Sequence, residues 1–146
     1  MKKILALITV IILFTIGCNK EKSNPIEGAW DLVYAVYVND DTVSAKFPGD
    51  YVGKDMKMWS KEHYIVIGLF KQDTIEMDNF GGGSYTLDGN IYNETIKYHV
   101  DKDLIGQTIR MNIKVANDTL YQIWPVDETG VFDKSNYREE RYIKVP

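Results

Sequence analysis

The sequence contains very little cysteine and histidine. Cys18 is the only cysteine among 146 residues, so no disulfide can form within the chain and the fold must depend on an apolar core. The two histidines, His63 and His99, fall in different predicted strands, and neither has a Cys, His or carboxylate at a recognised metal-ligand spacing. We therefore expect no metal site and interpret both as partly exposed strand residues.

Clusters of positive charge and catalytic motifs are also missing. Once Lys2 and Lys3 are set aside with the amino-terminal segment, 15 of the 17 basic residues remain against 21 acidic ones. Nucleic-acid binding requires a basic stripe, so we do not expect it. No Gly-x-Ser-x-Gly motif occurs, and no pair of carboxylates can be assigned to acid–base chemistry. The sequence predicts no catalytic residue, no cofactor and no enzyme.

The amino terminus predicts export. Lys2 and Lys3 precede an apolar run from Ile4 to Ile16, and the small residue Gly17 stands directly before Cys18. A charged start, an apolar centre and a small residue at the cleavage point describe a secretory signal. The apolar run is about 13 residues long, whereas a membrane-spanning helix needs roughly 20. A transmembrane anchor is therefore the weaker interpretation.

The end of this signal resembles the lipobox of bacterial lipoproteins, in the stretch Thr15-Ile16-Gly17-Cys18. The resemblance implies cleavage before Cys18 and its acylation with fatty chains such as palmitate, and two or more chains give stable membrane anchoring. An ordinary signal with an incidental cysteine is the alternative, although an unmodified lone thiol is unusual in an exported protein. Residue 19 is Asn rather than Asp, so a simple inner-membrane retention signal is absent and we expect the outer membrane of the cell envelope.

From Glu27 onward the pattern is that of short β-strands. Runs of Val, Ile, Thr, Tyr and Trp alternate with Gly, Asp and Asn. They predict eight strands at about residues 27–38, 54–59, 63–70, 81–87, 91–100, 106–115, 119–124 and 137–145. Residues 42–51 are predicted as a loop or short helix, residues 74–78 are ambiguous, and residues 125–136 are predicted as a loop. The chain thus divides into a lipoprotein signal (1–17), a lipidated Cys with a polar tether (18–26) and one domain (27–146).

These strands predict an all-β domain, either a sandwich or a single eight-stranded antiparallel up-and-down barrel. The barrel is preferred because closure removes exposed sheet edges. The clearest alternation lies in the sixth strand, where Ile109, Met111, Ile113 and Val115 share one face. The run Gly81–Gly83 leads into a strand rather than a helix, which favours a bulge or bend over a phosphate loop.

The start of the first strand, Gly28-Ala29-Trp30, resembles the lipocalin and fatty-acid-binding (calycin) superfamily. That resemblance implies that Trp30 closes one barrel end under a cation from the last strand. Lys144 is the better match for this cation and Arg141 is the competitor.

A second resemblance lies in Gly83-Ser84-Tyr85 followed by Tyr92-Asn93-Glu94-Thr95-Ile96. It is similar to a family of bacterial lipocalin-like lipoprotein domains, in which a Gly-x-Tyr strand precedes a Tyr-x-Glu-x-Ile strand. The last strand of that family usually carries Trp-x-Arg, where this chain has Tyr142-Ile143-Lys144, and the departure weakens the match. The resemblance implies a barrel and usually a ligand, but no enzyme activity.

Aromatic residues and one carboxylate form the predicted ligand site. If Tyr92, Glu94, Ile96 and Tyr98 share an inward face, Glu94 is either a polar anchor for a ligand or part of a structural hydrogen bond. Its partner would then be a tyrosine hydroxyl, Arg110 or Lys97. Core packing explains the same residues without a ligand. The residues predicted to line the interior are Tyr34, Tyr85, Tyr92, Glu94, Tyr98, Met111, Trp124 and Tyr142.

Two functions follow from these patterns. The first is a lipid-anchored envelope protein that binds a small apolar or amphipathic molecule in its barrel, without catalysis. The second is a structural or interaction lipoprotein, whose filled barrel contacts another envelope component. An open cavity with Glu94 or Arg110 at its wall favours the first function, and a filled interior favours the second. An enzyme ranks third.

Overall fold

A computed structural model describes residues 24–146, which form nine β-strands and one short 3₁₀ helix (Lys102–Leu104). The predicted signal, Cys18 and the tether as far as residue 23 lie outside the described residues. Within the described range, no helix has the length and apolar character needed to cross a membrane. The strands are β1 (Gly28–Asn39), β2 (Thr42–Phe47), β3 (Val52–Trp59), β4 (His63–Gln72), β5 (Ile75–Asp88), β6 (Ile91–His99), β7 (Thr108–Ala116), β8 (Thr119–Trp124) and β9 (Tyr137–Lys144).

Eight of these strands close into an antiparallel barrel. From β3 to β9 each strand pairs with the next one in the chain, and β1 closes the circle by pairing with β3 on one side and β9 on the other. Strand β2 pairs only with the second half of β1 and stands outside the circle. The predicted eight-stranded up-and-down barrel is therefore confirmed.

The outside strand β2 was predicted as a loop or short helix, and that prediction is wrong. Asp40 and Asp41 both have positive φ, at 49° and 60°, and form a two-residue turn between Asn39 and Thr42. Positive φ at both central residues matches the twist of a hairpin, so the chain folds straight back along β1. The ambiguous residues after Thr74 also form a strand, since β5 begins at Ile75.

The glycine run in β5 lies at an irregularity in pairing, as predicted. Gly83 pairs with Ile96 while Gly82 pairs with Tyr98, so Lys97 is an extra residue in β6. The strands approach so closely here that a Cβ on Gly83 would lie 2.0 Å from the backbone oxygen of Thr95. The bulge reverses the faces of β6 beyond this point.

The half of the barrel nearest the amino terminus is filled. Its core is one cluster of buried side chains, which include the large aromatic residues Trp30, Trp59 and Tyr85. Ile26 is 1% exposed and belongs to this core, and its carbonyl accepts a hydrogen bond of 2.8 Å from the Trp30 indole. Asn24 donates a hydrogen bond of 2.6 Å to the Tyr85 hydroxyl. Asn24 and Ile26 therefore contact barrel side chains, within the stretch predicted as the tether.

Candidate functional site

The half of the barrel away from the amino terminus contains a cavity of about 550 Å³. Its apolar wall comes from side chains on several strands: Leu32, Val66, Ile96, Ile109, Met111 and Trp124. Its polar side chains include Asp55, Lys57, Glu94, Gln122, Arg138 and Glu140. The interior is thus open rather than filled, and it is far more polar than the sequence suggested.

An ion pair forms the floor of this cavity. Lys57 Nζ lies 2.6 Å from Glu94 Oε2, and the two residues are only 4% and 6% exposed. The Lys57 ammonium also lies 5.1 Å, 5.0 Å and 5.8 Å from the ring centroids of Trp59, Tyr64 and Tyr92. Burying two charges is costly unless each has close partners, and the rings and the carboxylate provide them here.

Glu94 has a second donor, because the Tyr92 hydroxyl donates to the same Oε2 at 2.9 Å. Burial, followed by the charge of Glu94, raises the pKa of Tyr92 far above its ordinary value, so this hydroxyl stays a donor. The predicted tyrosine partner of Glu94 is therefore present. The other two suggestions are wrong, since Arg110 donates to Asn93 and Lys97 is exposed.

A second carboxylate, Glu140, lies on the cavity wall above this floor. The Tyr142 hydroxyl donates to Glu140 Oε2 at 2.5 Å, and the Gln122 amide donates to the same oxygen at 3.4 Å. Burial raises the pKa of Glu140 to about 7, with Asp55 and Glu94 adding to the effect against Lys57 and the Tyr142 hydrogen bond. A carboxyl group with this pKa exchanges its proton near neutral pH.

Asp55 is the third carboxylate of the cavity, and it is 4% exposed. Its Oδ2 accepts a hydrogen bond of 2.5 Å from Asn79, two strands away. Gly68 stands between these residues in the sheet, and a Cβ there would lie 2.7 Å from the same oxygen. Burial raises the pKa of Asp55, while Asn79 and Lys57 lower it. The missing side chain of Gly68 therefore makes room for the Asp55–Asn79 contact.

Four of the eight residues predicted to line the interior do line this cavity: Glu94, Met111, Trp124 and Tyr142. Tyr85 and Tyr92 are buried in the filled half beneath it, where their ring centroids lie 5.2 Å apart. These two tyrosines therefore lie beneath the Lys57–Glu94 pair and do not line the cavity wall.

The remaining two predicted residues, Tyr34 and Tyr98, lie outside the barrel, so their prediction is wrong. Tyr98 is 70% exposed because the bulge at Lys97 turns it outward. Tyr34 follows a pairing irregularity between Leu32 and Tyr34 in β1, and the Arg141 guanidinium carbon lies 4.4 Å from its ring centroid. In both strands one extra residue reverses the inward face.

The opposite end of the barrel shows the contact expected for the closing pair. Lys144 pairs with Trp30 across β1 and β9, and its Nζ lies 5.2 Å from the indole centroid. Arg141, the competing cation, instead packs on Tyr34 and Tyr121. The indole and the ammonium together cover the filled end.

The residues that sequence reasoning missed include Lys57, Asp55, Gln122 and Glu140. Asp55, Lys57 and Trp59 alternate along β3 with Met56 and Met58. The two charged residues face inward beside Trp59, whereas Met58 is exposed. The one available signal was that Trp59 shares its face with Asp55 and Lys57.

Metal chemistry has no support in the geometry of residues 24–146. That part of the chain contains no group of three or more His, Cys, Asp or Glu side chains placed to hold a metal ion. His63 is exposed, and His99 lines the open end of the cavity, where its Nδ1 accepts a hydrogen bond of 2.9 Å from the Asp101 backbone.

The fold and the cavity together define a small closed antiparallel β-barrel with one filled half and one open, polar half. Comparison with protein-family models, curated proteins and solved structures gives no match. The lipocalin-like family therefore stays a prediction from sequence motifs, and support for a function comes from the barrel and its cavity.

Proposed function

We propose that this chain is a lipid-anchored envelope protein of lipocalin-like type that holds a small amphipathic molecule in its barrel, without catalysis. The observation that carries the proposal is the cavity of about 550 Å³. Ligand sites for small molecules usually have roughly 300–1,000 Å³ and combine an apolar wall with a few polar groups. The open half of this barrel has both properties.

The distribution of side chains favours an amphipathic ligand over a wholly apolar one. Ile96, Ile109 and Met111 offer an apolar wall, whereas Gln122 and Glu140 offer polar groups deep in the same cavity. A purely apolar ligand would cover these polar groups without giving them hydrogen bonds, which costs free energy. A ligand with one polar end and one apolar end satisfies both regions.

The proposed anchor would attach to the filled end. Asn24 is bonded to Tyr85 there, and only residues 19–23 separate it from Cys18. The cavity lies in the other half of the barrel, where Tyr37, Phe70 and Arg138 contribute to its lining. We therefore infer that the mouth points away from the acylated residue, so that the ligand enters from the aqueous side of the outer membrane.

Native mass spectrometry of the protein purified from its host tests the proposal. We expect a reproducibly bound small molecule. Ile109→Trp adds bulk to the cavity wall and should abolish that binding, whereas Lys114→Trp, on the exposed face of the same strand, should retain it. The proposal is contradicted if the wild-type protein never carries a small molecule, or if the Ile109→Trp variant still binds it.

A second function, contact with another envelope component, is favoured by an apolar stripe on the outer wall. We define the stripe as Met58, Ile65, Ile67, Leu69 and Phe80, which are all exposed. Ile67 is 59% exposed and pairs with Met56 on one side and Phe80 on the other. Contiguous exposed apolar side chains of this kind often mark an interaction surface.

Native gel analysis of detergent-solubilised membranes distinguishes this second function. Wild-type protein would migrate as part of a larger complex, and Ile67→Glu would migrate as the free protein. Thr86→Glu, at an exposed position of β5 outside the stripe, is the matched control. Identical migration of wild type and Ile67→Glu rejects the second function and leaves ligand binding untouched.

A further inference from the structure

Two buried acceptor atoms beside the cavity have no protein donor. Among residues 24–146, Asp55 Oδ1 and Gln122 Oε1 are the buried side-chain oxygen or nitrogen atoms without a hydrogen-bond partner. Asp55 is 4% exposed, Gln122 is 2% exposed, and both line the cavity. Buried polar atoms are nearly always hydrogen-bonded, so two unmatched acceptors in one cavity indicate a missing donor.

The orientation of the Gln122 amide is fixed by its neighbour. Its Nε2 faces Glu140 Oε2 at 3.4 Å, so turning the amide around would place oxygen against oxygen. Gln122 therefore presents an acceptor rather than a donor for further bonding. With Asp55 Oδ1 and the Glu140 carboxylate, three acceptor groups line the same cavity.

The charges of the cavity favour a positive ligand group. Four carboxylates line it, Asp55, Glu94, Asp101 and Glu140, against two cations. Lys57 is already paired with Glu94 and enclosed by rings. The guanidinium of Arg138 lies 5.3 Å from the Tyr37 ring centroid. An added anion would meet a surplus of negative charge, whereas an added cation would compensate it.

We propose that the polar end of the ligand is an organic ammonium group, held by Asp55, Gln122 and Glu140. This inference rests on the proposed ligand-binding function and names the class of ligand. A primary ammonium has three donors and no acceptor, which matches three acceptor groups. The apolar remainder of the ligand lies against Ile109, Met111 and Trp124.

Three probes test whether the cavity prefers a positive group. Each has one phenyl ring, and their polar ends are cationic, neutral and anionic: 2-phenylethylamine, 2-phenylethanol and phenylacetate. Each is titrated into the full-chain protein as its host processes it, and binding is followed by tryptophan fluorescence, since Trp124 lines the cavity. Hydrogen bonds to charged groups imply that the amine binds about ten-fold or more tightly than the alcohol. Phenylacetate should not bind measurably.

Substitutions locate the site. Asp55→Asn and Glu140→Gln should each weaken amine binding about ten-fold and leave alcohol binding unchanged. Asp31→Asn removes an exposed carboxylate from neighbouring β1 and should change neither. If circular dichroism shows that Asp55→Asn does not fold, amine and alcohol binding are compared between Glu140→Gln and the wild type alone.

The inference is overturned if the alcohol or the carboxylate binds as tightly as the amine, if none of the three probes binds, or if Glu140→Gln leaves amine binding unchanged. If one of these outcomes occurs but native mass spectra still show a molecule from the host bound to the protein, the proposed function stands and only the ammonium inference is rejected. If no host molecule is bound either, the proposed function and the ammonium inference are both rejected.

Discussion

Lys57 and Glu94 meet at 2.6 Å across the inside of the barrel, although two strands separate β3 from β6 in the sheet. The pair divides the interior, with filled aromatic core on one side and the open cavity on the other. The two buried charges are stabilised by each other. Lys57 and Glu94 are therefore paired in the protein without a ligand.

Removal of one member of this pair should destabilise the barrel strongly. Lys57→Met leaves Glu94 buried without its cation, and such losses cost about 3–5 kcal/mol. The double variant Lys57→Met with Glu94→Leu should recover much of that loss. Urea unfolding of the single and double variants measures the coupling.

The half-exposed pair Arg141–Glu139, at 2.7 Å, is the control for that experiment. Arg141→Met should change the unfolding free energy by less than about 1 kcal/mol. If Lys57→Met and Arg141→Met lower the free energy of unfolding equally, the buried pair contributes no more to stability than the surface pair does.

The stability of the barrel should fall as pH rises toward neutrality. Glu140 has an ordinary pKa of 4.5 and a folded-state pKa of about 7, so the folded protein holds a proton that the unfolded chain has released in this interval. Below about pH 4.5 both states are protonated and Glu140 contributes no difference, whereas above about pH 7 the full cost of its ionisation is present. The charged and titratable groups that act on it are Asp55, Lys57, Glu94 and Tyr142, and its charge acts in turn on Tyr37. Arg138 lines the same cavity.

Glu140→Gln tests this dependence. At about pH 8 the variant should be more stable than wild type by up to roughly 3 kcal/mol, and at about pH 4 the two should agree. Urea denaturation at both pH values gives the comparison. A constant difference between the two proteins across this range would contradict the assigned pKa of Glu140.

The glycine run offers a test of the bulge. Gly83→Ala places a Cβ 2.0 Å from the backbone oxygen of Thr95, so we expect a loss of about 3 kcal/mol or more. Gly82→Ala meets its nearest atom, the Tyr64 backbone oxygen, at 3.2 Å and should cost about 1 kcal/mol or less. Thermal unfolding measures the loss of stability in both variants, which differ at adjacent residues of one strand. A similar loss for both would show that the backbone of Thr95 does not approach Gly83 as closely as described.

The proposed anchoring depends on Cys18, which lies outside the described residues. Cys18→Ser should abolish incorporation of labelled palmitate and release the protein from the membrane fraction. Asn19→Asp should keep the label but move the protein toward the inner membrane, if the host reads residue 19 as a sorting signal. Membrane association that persists in Cys18→Ser without label would mean that another part of the chain holds it there.

Most strands of this protein were predictable because they alternate cleanly. In β7, the inward residues Ile109, Met111, Ile113 and Val115 are those that the period-two pattern selects. Strand β2 was missed because Thr42–Phe47 is short and mostly exposed, so burial leaves no pattern in its sequence. Its turn, Asp40–Asp41, was the available signal.

The site was only partly predictable. Glu94 was identified because it stands between apolar residues of an inward face, but its partner Lys57 is 37 positions away in the chain. Local patterns carry no information about which distant residues meet.

The sequence by itself determined an all-β domain, favoured a barrel over a sandwich and gave the expectation of a lipid anchor at Cys18, while its resemblance to the calycin superfamily implied the contact between Trp30 and Lys144. Only the tertiary structure decided which tyrosines face outward, where the cavity lies and which charges enclose it. The physical reason is that alternation fixes relative faces within an unbroken strand, whereas one extra residue, as near Tyr34 or at Lys97, reverses them. Closure of the sheet then brings Lys57 to Glu94, and this contact, with the acceptors above it, gives the cavity its polar character.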